Sequence, residues 1–147
     1  QDDEAIREAG ENINQIEKRI GYKVNVSYLK DSVRTMLMTG DLTQKWGKFN
    51  YIYSMGLFDY LTPPVAKAVA EKLYSLLEPG GKIFIGNFHF NNKSRWFMEY
   101  WHDWVLYYRS EDDFYALFAD TDAVNISVTL EDTGSQMFLL AQKPEQG

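Results

Sequence analysis

Residues 49–89, FNYIYSMGLFDYLTPPVAKAVAEKLYSLLEPGGKIFIGNFH, restrict the chain to few architectures. An aliphatic and aromatic run leads through a short turn into a helical pattern, with Thr62 placed as N-cap and Pro63 in the first turn, where its missing N–H costs nothing. Val65, Val69, Leu73 and Leu76 fall on one face of that helix, and Pro79, Gly80 and Gly81 stop it before a second apolar run over 82–88. Strand, helix, strand in so short a span is the pattern of a βαβ unit. Its strands run parallel, and in such sheets ligands sit beyond the strand C-terminal ends.

The flanks continue the alternation. Ala5, Ile6, Ala9, Ile13 and Ile16 recur at three- and four-residue spacing, predicting a helix over 2–19 with Asp2 or Asp3 as N-cap and Gly21 just past its end. YKVNVSYL, 22–29, alternates like a strand, and Asp31 to Met38 suit a short helix before Gly40 and Asp41. Beyond residue 89, Ser94 is a plausible N-cap, and Trp96, Tyr100, Trp104 and Tyr108 recur every four residues, which predicts one helix over 91–109 with an aromatic stripe. A short helix over 111–119 follows. VNISVTLED and SQMFLLAQK around Thr133-Gly134 predict an antiparallel hairpin, and Pro144 to Gly147 read as a frayed tail.

Composition narrows the classes of function. With 147 residues, 45% of them hydrophobic, the chain is expected to form a single domain. A net charge of −6 argues against a broad nucleic-acid footprint. The absence of cysteine excludes disulfides, zinc-thiolate sites and a thiol nucleophile. No signal peptide is visible and no apolar run reaches the ~20 residues of a membrane span, so the cytoplasm is the expected location.

A hydrophobic strand ending in a loop, a helix closing in LLEPGG and the strand KIFIGNF resemble the second half of class I S-adenosylmethionine-dependent methyltransferases. SMGLFDYL, IGNFH and the aromatic segment ending WHDWVLYYRS are similar to bacterial hydroxy fatty acid methyl ester biosynthesis methyltransferases. The resemblance implies an α/β, Rossmann-like sheet, mostly parallel with a C-terminal antiparallel strand, and S-adenosylmethionine as cofactor. It also implies a domain truncated at its N-terminus, because the family's first two strands and Gly-rich cofactor loop have no counterpart in 1–147, and the acid that holds the ribose would precede Gln1. The fragment by itself is therefore expected to bind the cofactor poorly. With two strands lacking from the family order 3-2-1-4-5-7-6, either another polypeptide supplies them or strand 22–29 moves beside 49–54; the second is expected, giving five strands in the order 3-4-5-7-6.

The resemblance carries cofactor-binding roles to Asp31 and Ser32 after strand 22–29, and to Ser54, Met55 and Gly56 after strand 49–53. Asp31 equally suits the cap of the short helix, and Gly56 suits a plain turn. Near Ser54 the acidic or Asn-Pro motif of amine methylation is missing, which argues against an amine acceptor. His89, at the end of the second strand, is a candidate catalytic or acceptor-orienting group, being able to exchange a proton near neutral pH. Arg95 could hold a carboxylate in bidentate fashion, or simply pair with Glu99 at helical spacing. The aromatic stripe is expected to be core, with the wall of an acyl channel as its alternative. His102 and Asp103 lack metal-ligand companions, and no metal site is expected. Methyl transfer from a sulfonium to an ionised carboxylate needs alignment and exclusion of water rather than a base. The acceptor expected is thus a small acid or lipid-like molecule, with an aminopropyltransferase-like enzyme and a noncatalytic binding module as the alternatives.

Overall fold

The computed structural model describes residues 3–145 and divides the chain into two compact units, one ending at Thr39 and one beginning at Gly40. In the first, α1 (Asp3–Ile20) closes on Gly21 at φ 82°, whose N–H donates to the Glu17 carbonyl at 2.9 Å. Asp2, the alternative N-cap, lies outside the described residues, as do Gln146 and Gly147 of the tail. α2 (Val33–Met38) is capped by Ser32, whose hydroxyl accepts from the Thr35 N–H at 3.0 Å, so Ser32 rather than Asp31 is the cap.

Residues 22–29 do not form the expected strand. They run back along α1: Lys23 and the Val24 N–H both bond to Glu17, and Lys30 pairs with Asp3 near the helix start. The alternation of YKVNVSYL specifies two faces but supplies no partner, and a strand exists only when its N–H and C=O groups find a ladder. The five-stranded order 3-4-5-7-6 is accordingly not adopted.

In the second unit the short helix α3 (Thr43–Trp46) precedes β1 (Phe49–Ser54), which runs parallel to β2 (Leu77–Phe88). A 3-10 turn (Phe58–Tyr60) and α4 (Pro63–Ser75) make the crossover. Thr62 precedes α4 as expected but makes no capping bond with its side chain. β3 (Val124–Leu130) and β4 (Gln136–Gln142) form the hairpin, turning at Gly134 with φ 71°. Among the described residues four strands form one sheet, in the order β1-β2-β4-β3. β4 is antiparallel to both its neighbours, so β1, β2 and β3 share one direction and β4 alone is reversed.

β2 pairs on both edges and is the centre of the unit. Ile83, Ile85 and Asn87 lie opposite Ala141, Leu139 and Met137, and all of these side chains are fully buried, with Val69 and Ala70 of α4 and Phe114 of α6 (Glu111–Ala116) completing the core. On the other face Phe84 stacks on Phe138, ring centroids 5.4 Å apart. The LEPGG segment does more than end α4. It bulges between the pairs Phe49–Leu77 and Tyr51–Lys82, and a Cβ at Gly81 would stand 2.8 Å from the Glu78 carbonyl oxygen, so glycine is required there.

After β2 the expected helix over 91–109 is cut in two. α5 (Arg95–His102) ends at Asp103, held in the left-handed region at φ 49°, with its N–H donating to the Met98 carbonyl. Residues beyond it extend back to the sheet, where Arg109 bonds to Phe88 and Phe90 through the backbone. A polar core explains the break. Arg109 is 3% exposed; its Nη1 donates to the Phe58 carbonyl at 2.7 Å and to Asn87 Oδ1, and its Nη2 to the Leu61 carbonyl at 2.7 Å. Asp59, equally buried, accepts from the Phe88 N–H at 2.7 Å, and the Tyr107 N–H donates to its backbone carbonyl at 2.7 Å. Burial pushes the Asp59 carboxyl up and the Arg109 guanidinium down from their ordinary values, each partly offset by the other's charge. Seating Arg109 in this nest is incompatible with one helix running through residue 109.

Arg109→Met is expected to destabilise the protein by about 3–5 kcal/mol in chemical denaturation, because it strands the Phe58 and Leu61 carbonyls, Asn87 and the buried Asp59. A loss below about 1 kcal/mol would show that the nest is incidental. A second expectation concerns the β3–β4 turn, where the Glu131 carboxylate accepts from the Thr133 hydroxyl and from the N–H groups of Thr133, Ser135 and Gln136, and its pKa falls to about 2. Its folded value lies below the unfolded ~4.3, so these bonds stabilise the turn fully above about pH 5 and are lost as pH falls toward 2. An NMR titration of the Glu131 carboxyl reads this directly, and a midpoint near 4.3 would contradict it.

Candidate site at the strand ends

The C-terminal ends of β1 and β2 lie side by side, with Ser54 paired to Ile85. Three consecutive residues shape the exit from β1. Ser54 is half-buried, Met55 is 53% exposed, and Gly56 takes φ 76° with nothing within 4 Å of the position a Cβ would occupy. Met55 folds over the neighbouring strand at Gly86, where a Cβ would meet its Sδ at 2.9 Å. Glycine at 86 therefore lets the thioether lie against the sheet, a close approach between residues 31 positions apart that no local pattern announces.

His89 follows β2 directly. Its N–H donates to the Ser135 carbonyl at 2.9 Å, its Nε2 lies 3.2 Å from Glu111 Oε2, and its Nδ1 is buried without a hydrogen-bond partner. Glu111 opens α6, and hydrogen bonds from its own backbone N–H and from His89 hold its carboxyl below the usual range. The imidazole, 4% exposed, thus ties the end of β2 to α6.

Arg95 is the first residue of α5. Its Nε donates to Glu99 Oε1 at 2.9 Å, and its guanidinium lies 4.7 Å from the centre of the Tyr108 ring. The side chain remains 43% exposed, so the pairing with Glu99 leaves it reachable from solvent. The Tyr108 hydroxyl is buried and unpartnered, and burial raises its pKa. Asp31 and Ser32 belong to the first unit, where the Ser32 hydroxyl is engaged in capping α2.

The stripe expected to be core lies on the surface. Trp96, Tyr100 and Trp104 are 76%, 88% and 42% exposed, whereas Met98 is the side chain α5 buries. A cavity of about 340 Å³ opens instead between the start of α4 and α6, lined by Pro63, Lys67, Tyr107, Arg109 and Leu117 among others. Asp59, Asn87 and Arg109, which shape the loop after β1, were not foreseen as a group. The one signal was Asp59, an isolated acid in the otherwise apolar run GLFDYL. Asn87 and Arg109 lie 28 and 50 positions further on, and no local pattern links them to it.

No family model matches the chain, and no curated protein matches it. Solved structures do. Magnesium protoporphyrin IX methyltransferase (ChlM) from Synechocystis PCC 6803 with bound SAH is similar at a TM-score of 0.60 and 14% identity, over 91% of this chain and 58% of that one. An O-methyltransferase family protein from Burkholderia thailandensis matches at 0.60 and 14% identity, over 96% and 42%. A possible exported protein from Bordetella parapertussis matches at 0.56 and 13%, over 66% and 39%. The chain therefore spans between about two fifths and three fifths of the length of these relatives. What they establish is the architecture, an α/β sheet of the Rossmann-like methyltransferase type.

Proposed function

We propose that this chain takes part in S-adenosylmethionine-dependent methyl transfer to a small acid, the carboxylate of a hydroxy fatty acid or a similar molecule. The observation that carries the reading is the Ser54–Gly56 turn: an open backbone at the C-terminal end of β1, beside β2, in a fold shared with methyltransferases. The residues present fit part of a cofactor. Gly56 leaves room for close approach, the half-exposed Met55 side chain offers a soft apolar surface, and Ser54 adds a hydroxyl.

When bound, the cofactor supplies an electrophilic methyl group on a sulfonium. The protein's share is then alignment and shielding. Arg95, accessible and pre-oriented by Glu99 and Tyr108, is the group suited to hold an acceptor carboxylate, its planar fork matching two oxygens. An ionised carboxylate needs no general base. His89, sealed and paired with Glu111, is accordingly assigned an orienting role, keeping the end of β2 in register with α6.

Adding S-adenosylhomocysteine at millimolar concentration should shift the amide resonances of Ser54, Met55 and Gly56 and leave those of the 131–136 turn in place. Gly56→Val, which forces a branched side chain into positive φ, should weaken the response about tenfold or more. Shifts confined to other regions, or none, would overturn the assignment. For the acceptor, Arg95→Ala should weaken binding of a medium-chain hydroxy acid by about 1.5–3 kcal/mol, the worth of a charge-assisted contact, with the S-adenosylhomocysteine response unchanged. Equal acid binding by both proteins would reduce Arg95 to a surface residue.

A further inference from the structure

α5 presents the wrong side to solvent. Met98 is buried and the Glu99 side chain is 19% exposed, yet Trp96, Phe97, Tyr100 and Trp101 are 76%, 59%, 88% and 74% exposed. These aromatic residues occupy adjoining positions one turn apart, and Phe97 and Trp101 stack with an interplanar angle of 8°. They form a continuous strip along one side of the helix. An amphipathic helix ordinarily turns such a side inward. Taking about 150–250 Å² for each aromatic side chain, the strip exposes on the order of 600 Å², at the upper end of the largest patch a monomer carries. Trp104 and Val105, 42% and 69% exposed, follow it in the chain.

Area and charge both point to a second copy of the same strip. Two strips face to face would bury up to about 1,200 Å², which reaches the lower bound of a stable pair. Lys93 precedes the helix and Asp103 ends it; both are exposed, and neither has an ion-pair partner among the described residues. α5 itself is eight residues long, about 12 Å along its axis, and the two charges flank its opposite ends. In an antiparallel two-fold arrangement Lys93 of one copy meets Asp103 of the other, twice, and the helix dipoles oppose favourably. An anionic lipid surface fits less well, since Asp103 sits at the end of the strip and the chain carries a net charge of −6.

We propose that α5 mediates an antiparallel homodimer through Trp96, Phe97, Tyr100 and Trp101. This stands apart from the methyl-transfer reading and survives its failure. Sedimentation of the chain from micromolar to millimolar concentration should show a monomer–dimer equilibrium, and Trp101→Glu should weaken it about 30-fold, as for a central aromatic anchor, without moving the unfolding midpoint measured at concentrations where both proteins are monomeric. The chain has no cysteine, so Lys93→Cys and Asp103→Cys proteins can be mixed and oxidised. Cross-links between 93 of one copy and 103 of the other are expected to dominate. A strictly monomeric protein, a dimer indifferent to Trp101→Glu, or mainly 93-to-93 cross-links would each overturn the proposal, as would binding to phosphatidylcholine vesicles by a protein that does not dimerise.

Discussion

A buried guanidinium holds together the end of the molecule where its chemistry is proposed to occur. Removing Arg109 from water is costly, and the structure offsets that cost with the Phe58 and Leu61 carbonyls, the Asn87 amide oxygen and the nearby Asp59 carboxylate. Those partners come from two stretches of chain, 58–61 and the end of β2, and Arg109 itself comes from a third. The loop leaving β1, the end of β2 and the segment entering α6 are thereby locked to one another. Asp59 extends the lock by accepting from the Phe88 N–H, the last residue of β2. Because these bonds are directional and sheltered from water, they set the shape of the strand ends more tightly than apolar packing would.

The rest of the site inherits that rigidity. β2 is paired along both edges and so gives the neighbouring residues a fixed base. Met55 can lie across it because position 86 is glycine, and His89 carries the β2 end over to α6 through Glu111. Chemistry of the proposed kind asks little of such a site beyond orientation. A displacement at a methyl carbon is accelerated by holding the partners in line and keeping water out, and firmly held strand ends are suited to both.

α5 and residues 22–29 illustrate the same limit from opposite directions. In α5 the helical spacing of the aromatic residues correctly marked a common face, but spacing says nothing about which way that face points; Met98, not the stripe, found the core. In residues 22–29 alternation suggested a strand, but the hydrogen bonds a strand needs come from elsewhere, and Glu17 and Asp3 bind the segment to α1 instead. The aromatic surface left by α5 suits association far better than solvent.

Where local chemistry suffices, the amino-acid sequence determined the outcome: the parallel β1–α4–β2 crossover, the glycine closing α1 and the hairpin at Gly134 all follow from periodicity, capping and turn residues acting within a few positions of one another. The placement of Ser54, Met55 and Gly56 at the end of β1 was legible for the same reason. What tertiary structure alone decided was every feature that joins distant segments. The Arg109 nest, the break in the helix after Asp103, the burial of His89 against Glu111 and the outward turn of α5 depend on desolvation and on hydrogen-bond partners brought from far along the chain. Such energies exist only once the chain has folded, because a charge's cost and its compensation are both set by what surrounds it.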